Sequence, residues 1–366
     1  MKLKSYLSPA IIVVAALLGS CKEDPADPGT TATYDDTPYV LEYGDLDAPT
    51  SLNPDNPLTE QGVQLGRMLF YDTRLSKDGS MSCASCHRQE HAFTDTARFS
   101  IGVEGLPGKR QAMSVFNTAW HQNEFFWDGR AHLLRDQSLL PIQDPLEMNE
   151  SLENVVSKLN ASEGYRNQFI RAFGSNEITE ERISWALEQF MNSIVSHNSK
   201  YDQYLRGEVS FSDSEERGRE LFFAEFNPGF PATSGADCAH CHAGRTFEND
   251  LYMNNGLDGD GSFIDSGRYK ATQDLADLGK FKVTSLRNIE LTAPYMHDGR
   301  FESLEEVLDH YNNGLEASAT LDPALEYTRV SGGLQLSAQD KADIIAFLKT
   351  LTDQDMISDP RYSSPF

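Results

Sequence analysis

The sequence predicts a mainly α-helical chain made of two tandem domains, and three observations carry that prediction. A five-residue segment occurs twice, CASCH at Cys83–His87 and CAHCH at Cys238–His242. A second pair stands upstream of it, GRMLF at Gly66–Phe70 and GRELF at Gly218–Phe222, each inside a stretch of helical apolar spacing. Convincing strand signals are scarce, and 366 residues are enough for two cores.

From the start, residues 1–20 read as a lipoprotein signal peptide. Lys2 and Lys4 open it, and Ile11 to Leu18 form an apolar run too short for a standard membrane span. Leu18-Gly19-Ser20-Cys21 resembles a bacterial lipobox, so acyl chains on Cys21 would anchor the protein to a membrane. Ordinary secretory cleavage is the alternative. The anchored protein would face the periplasm or the cell surface. The residues after Cys21 are rich in Pro, Asp and Thr, so 21–45 are expected to be a flexible tether. Residues 46–206 then form the first domain and 207–366 the second, with the boundary in YLRGEVSFSDSE. The first domain ends in a helix on which Ile183, Leu187, Phe190 and Ile194 share a face. The second closes on LSAQDKADIIAFLKTLTD, with Ser337 as N-cap and Ile344, Ile345, Leu348 and Leu351 aligned.

Acidic residues outnumber basic ones by 56 to 31, a formal net charge of -25. Phosphate binding needs Lys and Arg, so this balance argues against nucleic acid as a partner. An acidic surface keeps a protein soluble or steers a basic partner.

Cys21 aside, the cysteines fall into two C-x-x-C pairs. Two disulfides, or one zinc on four thiolates, would use them. Neither explains a His directly after each pair. In C-x-x-C-H both thiols add to the vinyl groups of a haem and the His nitrogen ligates its iron. Two covalently bound c-type haems are therefore expected. Cys83, Cys86 and His87 would hold one, and Cys238, Cys241 and His242 the other. The fold class becomes two cytochrome c-like haem domains in tandem.

Two longer segments add to this. FFWDGRAHLLRDQSLLPIQDPLEMN spans residues 125–149, and TSLRNIELTAPYMHDGRFESLEEVLDHYNNG spans 284–314. With them the chain resembles the bacterial di-haem cytochrome c peroxidase family, which includes the MauG enzymes, from about residue 50 to 352. The resemblance implies that hydrogen peroxide is reduced at the N-terminal haem. Electrons would come from a small redox protein, a cytochrome c or a copper protein, through the C-terminal haem. Trp127 matches the family's Trp between the haems. Gln137, ten residues on, matches its distal Gln, and Glu147, twenty residues on, its catalytic Glu. A carboxylate there can carry the peroxide proton to the leaving oxygen. Arg287, in LRN, is expected at a haem propionate.

The chain departs from many relatives in two places. Those relatives cap the peroxidatic iron with a His from the loop before RN. Here that loop, SIGVEGLPGKRQAMSVFN at 100–117, has no His, and the matching position falls at or near Glu104. His121 does not match and reads as a surface or structural residue. His91 follows the first motif too closely. The N-terminal iron is therefore expected to be open without prior reduction. The C-terminal haem takes its sixth ligand, in many relatives, from a Met seventeen residues after the Pro of T-x-P. Here that Pro is Pro294 and the position holds Tyr311, as in MauG-like members; Met296 is the rival. The resemblance also implies a calcium ion on the carbonyls of Thr292 and Pro294, with Gln111 in place of the usual Asn and Asn117 as another donor. Homodimers are common among the relatives. The favoured reading is a lipid-anchored di-haem peroxidase. Its rivals are MauG-like, peroxide-dependent oxidation of a protein substrate and a non-catalytic di-haem electron carrier. A carrier needs neither an open iron nor Glu147.

Overall fold

The computed structural model describes residues 32–366, so the signal peptide, Cys21 and the start of the tether lie outside the described residues. The helices are α1 (Glu60–Tyr71), α2 (Cys83–Cys86), α3 (Leu134–Gln143), α4 (Leu152–Asn160), α5 (Glu163–Phe173), α6 (Glu180–Ser193) and α7 (Lys200–Leu205). They continue as α8 (Asp213–Phe223), α9 (Tyr269–Thr272), α10 (Leu304–Asn313), α11 (Pro323–Val330), α12 (Ala338–Lys349) and α13 (Gln354–Ser358). The sheet among the described residues is one antiparallel pair, β1 (Tyr252–Met253) and β2 (Phe281–Lys282), so the fold is mainly helical as expected.

Local chemistry starts the helices. Thr59 caps α1 by accepting from Gly62 N, and Thr179 caps α6 by accepting from Arg182 N. Ser212 and Ser337 open α8 and α12 with capping boxes closed by Glu215 and Asp340.

α1 packs on α6, and α8 packs on α12. Each crossing is made at the glycine of the repeated segment. A Cβ on Gly66 would lie 1.9 Å from Ala186 O, and one on Gly218 would lie 1.8 Å from Asp343 O. No side chain fits there, so GRMLF and GRELF are the same close helix crossing made twice. Phe70 and Phe222, which end the two segments, are buried.

A further repeat emerges from the tertiary structure. Asn117 and Asn288 both have left-handed backbone, with φ of 54° and 60°. Asn117 N donates to Ile194 O (2.9 Å), and its Oδ1 accepts from Ser196 N (2.8 Å). Asn288 N donates to Leu351 O (3.0 Å), and its Oδ1 accepts from Asp353 N (2.7 Å). Each Asn thus clamps the chain that leaves its half's last long helix.

Two hydrophobic cores result. The first includes Leu65, Phe70, Phe93, Phe169 and Phe190; the second includes Phe222, Phe247, Ile344 and Phe347. Two segments pack differently from the sequence reading. Met356 and Tyr362 are buried in the first core, although 207–366 was grouped as the second domain. Asp353 turns the chain there: its Oδ2 accepts from His197 N and Asn198 N, at the exit from the first half. The described part of the expected tether is also pinned. Asp35 N donates to Arg171 O and Tyr39 N to Leu58 O, both at 3.0 Å, and Tyr39 packs on the first core.

Candidate active site

α2 is a single turn opened by Ser82, whose N–H donates to Ser85 Oγ at 3.0 Å. The turn sets Cys83 and Cys86 beside His87. All three line a cavity of about 480 Å³, and Trp127, Gln137 and Glu147 stand in the same wall. His87 Nδ1 donates to Phe93 O at 2.9 Å, so the lone pair belongs to Nε2. Burial pushes the pKa of this imidazole down, which keeps it neutral as an iron ligand must be. Cys83 and Cys86 are not joined in a disulfide. A hydrophobic lining that includes Phe70, Leu134 and Leu187 completes a site that fits a haem.

Gln137 comes from α3 and Glu147 from the turn that follows it. The backbone holds Glu147 from both sides. Its N–H donates to Asp144 O, and its carbonyl accepts from Val103 N, both at 2.9 Å. The half-buried carboxyl makes no hydrogen bond with other described residues. Burial, and then the charge of Asp144, push its pKa up to about 7 against the pull of Arg130. A carboxyl tuned this way can both take and return a proton at neutral pH.

The second motif builds a parallel site. Cys238, Cys241 and His242 line a cavity of about 260 Å³ together with Phe222 and Leu308. His242 Nδ1 donates to Phe247 O at 3.2 Å, and burial pushes this imidazole's pKa down too. Phe93 and Phe247, whose carbonyls hold the two imidazoles, both have left-handed backbone, with φ of 58° and 56°. Tyr311 and Met296 both line the cavity. Burial pushes the Tyr311 phenol up to about 12, against a hydrogen bond with Asn255. Asn255 Nδ2 also lies 3.4 Å from Met296 Sδ. The four cysteines serve two separate cavities, which excludes one four-thiolate zinc site.

A shared wall joins the cavities, lined on both sides by Trp127, Gln111, His121 and Lys282. Trp127 Nε1 donates to Gln111 O at 2.9 Å, and Trp127 O accepts from Lys282 N at 2.8 Å. Sequence reasoning missed Lys282, whose buried ammonium pairs with Asp250. His121, expected to be a surface or structural residue, takes a structural place in this wall. This imidazole is half-buried, stacks on Phe125, and has Nε2 3.2 Å from Glu248 Oε2. Burial opposes its charge, but the Glu248 carboxylate outweighs that and raises its pKa.

Two other expectations need correction. Arg287 does not line either cavity. Its guanidinium meets both oxygens of Asp202 (2.7 and 2.8 Å) and Arg245 O (2.7 Å), so its charge is answered within the protein. Asn117 is no ion donor, because its Oδ1 and Nδ2 both bond the backbone of Ser196. Glu104 stands outside the cavity lining, bonded by Lys77 Nζ and by Asn149 Nδ2. His91 lines neither cavity. Gln111, Thr292 and Pro294 border the C-terminal cavity. Gln111 Nε2 donates to Thr94 Oγ1 and Asp95 O. Among the described residues no cluster of three or more His, Cys, Asp or Glu is placed to hold a metal ion, and no helix is long and apolar enough to cross a membrane.

Comparison with known proteins agrees with this geometry. Residues 60–210 match the family model for di-haem cytochrome c peroxidase. The chain is 37% identical over 298 residues to the methylamine utilization protein MauG of Methylorubrum extorquens, covering 81% of this chain and 79% of that one. It is 36% identical over 297 residues to the cytochrome c551 peroxidase of Nitrosomonas europaea, covering 79% of each. A crystal structure of a MauG-like protein associated with microbial copper homeostasis superposes with a TM-score of 0.80 at 36% identity, covering 89% of this chain and 99% of that one. Likeness of this extent shows the family: the chain belongs to the di-haem cytochrome c peroxidase family, whose members hold two c-type haems, and it is an oxidoreductase that reduces hydrogen peroxide.

Proposed function

We propose that peroxide reacts in the N-terminal cavity and that electrons reach it from the C-terminal cavity by way of Trp127. A haem held by Cys83, Cys86 and His87 would supply redox-active iron there; one peroxide, two electrons and two protons give two waters. Glu147 would take a proton from one peroxide oxygen and return it to the other, so that water leaves. Gln137 orients the peroxide by hydrogen bonding. Arg130, also in the wall, keeps the pKa of Glu147 from rising further. Trp127, held by main-chain bonds on both sides, is the relay in the shared wall. The observation that carries this reading is a carboxyl titrating near 7 in the same cavity as Cys83, Cys86 and His87. A Glu147→Gln enzyme with both haems attached should lose peroxide turnover; unchanged turnover would defeat the assignment.

The iron on His87 works without prior reduction, because residues 100–117 contain no His and Glu104 is tied outside the cavity. We assign Tyr311 as sixth ligand of the second iron, on its spacing from Pro294 and its place in the cavity wall, with Met296 the rival. A Tyr there supports the second reading, MauG-like oxidation of a protein substrate, because an anionic phenolate favours the higher oxidation states of iron. In the first reading the donor is a small redox protein, and a net charge of -25 favours a basic one. Calcium would sit on Thr292, Pro294 and Gln111 Oε1, the Nε2 of that amide being already spent. A lipid on Cys21 would hold the enzyme at the periplasmic or outer face of a membrane. A homodimer remains part of the family expectation.

A further inference from the structure

We propose that the C-terminal tail, residues 354–366, is a strap that positions His87, the iron ligand of the N-terminal cavity. The ring of His87 is aimed by its bond to Phe93 O. That carbonyl belongs to a costly piece of backbone. Ala92 and Phe93 are consecutive non-glycine residues in the left-handed region, with φ of 52° and 58°. Such a turn persists only where its surroundings hold it.

The tail supplies much of that hold. Gln89 Nε2 donates to Met356 O at 3.0 Å and to Asp359 O at 2.8 Å. The Tyr362 ring meets the Phe93 ring edge-on, with centroids 6.4 Å apart. The tail is itself fastened to the first half. Tyr71 OH donates to Tyr362 O at 2.7 Å, and Arg67 donates to Ser363 O at 2.6 Å and Pro360 O at 2.7 Å. Gln89 and Phe93 both follow His87 within six residues, so one strap braces the loop that leaves the ligand at two points.

The second half shows the same device in reverse. The chain leaving α6 passes its Asn117 clamp and places Tyr201 edge-on against Phe247, at 5.1 Å. The chain leaving α12 passes its Asn288 clamp and places Tyr362 against Phe93. Each half therefore sends a Tyr to the Phe that aims the other half's imidazole. The two haem sites brace each other through the backbone, in addition to sharing the Trp127 wall.

The test uses the holoenzyme with both haems, fully reduced, and reads the iron–histidine stretch of the N-terminal haem by resonance Raman spectroscopy. A weaker Nδ1–H bond lowers that frequency. A chain ending at Asp353 should show the band at lower wavenumber and broadened, and Gln89→Ala should show a smaller shift in the same direction. The spin-state bands of the C-terminal haem should stay in place, because Phe247 is braced by Tyr201 and not by the tail. An unmoved N-terminal band in both variants overturns the strap, as does an equal disturbance of both haems. Should the shortened chain fail to hold haem, Gln89→Ala decides by the same criterion. The proposal rests on His87 as iron ligand; a wild-type protein lacking the band overturns that assignment and the strap with it.

Discussion

Peroxide turnover by the haem-loaded enzyme should collapse on the acid side of neutrality. In the proposed role Glu147 acts as a base only as a carboxylate, and burial with help from Asp144 pushes its pKa up to about 7. A raised pKa means that the proton stays on at pH values where an ordinary glutamate has lost it. At pH 7 roughly half of the molecules carry the carboxylate, and at pH 5 about 1% do. The second-order rate constant for peroxide should therefore fall roughly fiftyfold from pH 7 to pH 5. A glutamate titrating near its usual value of about 4.3 would lose only about a sixth over the same interval. Glu147→Gln keeps the size of the side chain and removes the titration. Its turnover should drop by about 10²–10⁴-fold, and the remaining rate should lose the inflection near neutrality. Stopped-flow peroxide decay between pH 5 and 9, with both haems verified by absorption, measures this. A wild-type profile flat from pH 5 to 7, or a variant within about threefold of wild type, refutes the reasoning.

Arg130 lowers the pKa of Glu147 by its charge, so Arg130→Leu should move the same inflection to higher pH; an unmoved inflection would show that Arg130 does not act on Glu147. Low-temperature EPR of the fully ferric protein should give one high-spin and one low-spin signal, the high-spin one from the iron on His87. Two low-spin signals would mean that an unassigned ligand closes the peroxide site. Gly218→Ala should lower the melting temperature of the loaded protein in calorimetry. Alanine gains about 1 kcal/mol of helix propensity. Its Cβ would lie 1.8 Å from Asp343 O, so α8 and α12 must separate, and overpacking of this kind costs about 1–3 kcal/mol or more. A raised melting temperature would count against the close crossing.

Much of this protein follows from short-range chemistry and was legible for that reason. Covalent haem attachment needs two thiols and an imidazole at fixed local spacing, so C-x-x-C-H shows its purpose in five residues. Helix periodicity and N-caps are equally local, and Ser212 and Ser337 begin α8 and α12 as short polar side chains beside helical patterns do. Trp127, Gln137 and Glu147 could be named because the family resemblance carries their spacing, and a turn, helix α3 and the turn after it bring them into the same cavity wall.

Where a residue's role depends on partners far away in the chain, the letters were silent or misleading. Arg287 sits in a segment that suggests a propionate anchor, yet Asp202, 85 positions away, already meets its guanidinium. His121 read as a surface or structural residue, but the sequence could not name its partner Glu248, which folding brings to it, or its place in the wall between the cavities. The last residues read as the end of the second domain, but their side chains find their burial against the first core. Sequence specifies an interaction directly only when both partners lie within a turn or two of each other. Across longer separations the pairing is selected by how the two cores pack, because burial and desolvation determine which charges meet and which apolar surfaces are covered.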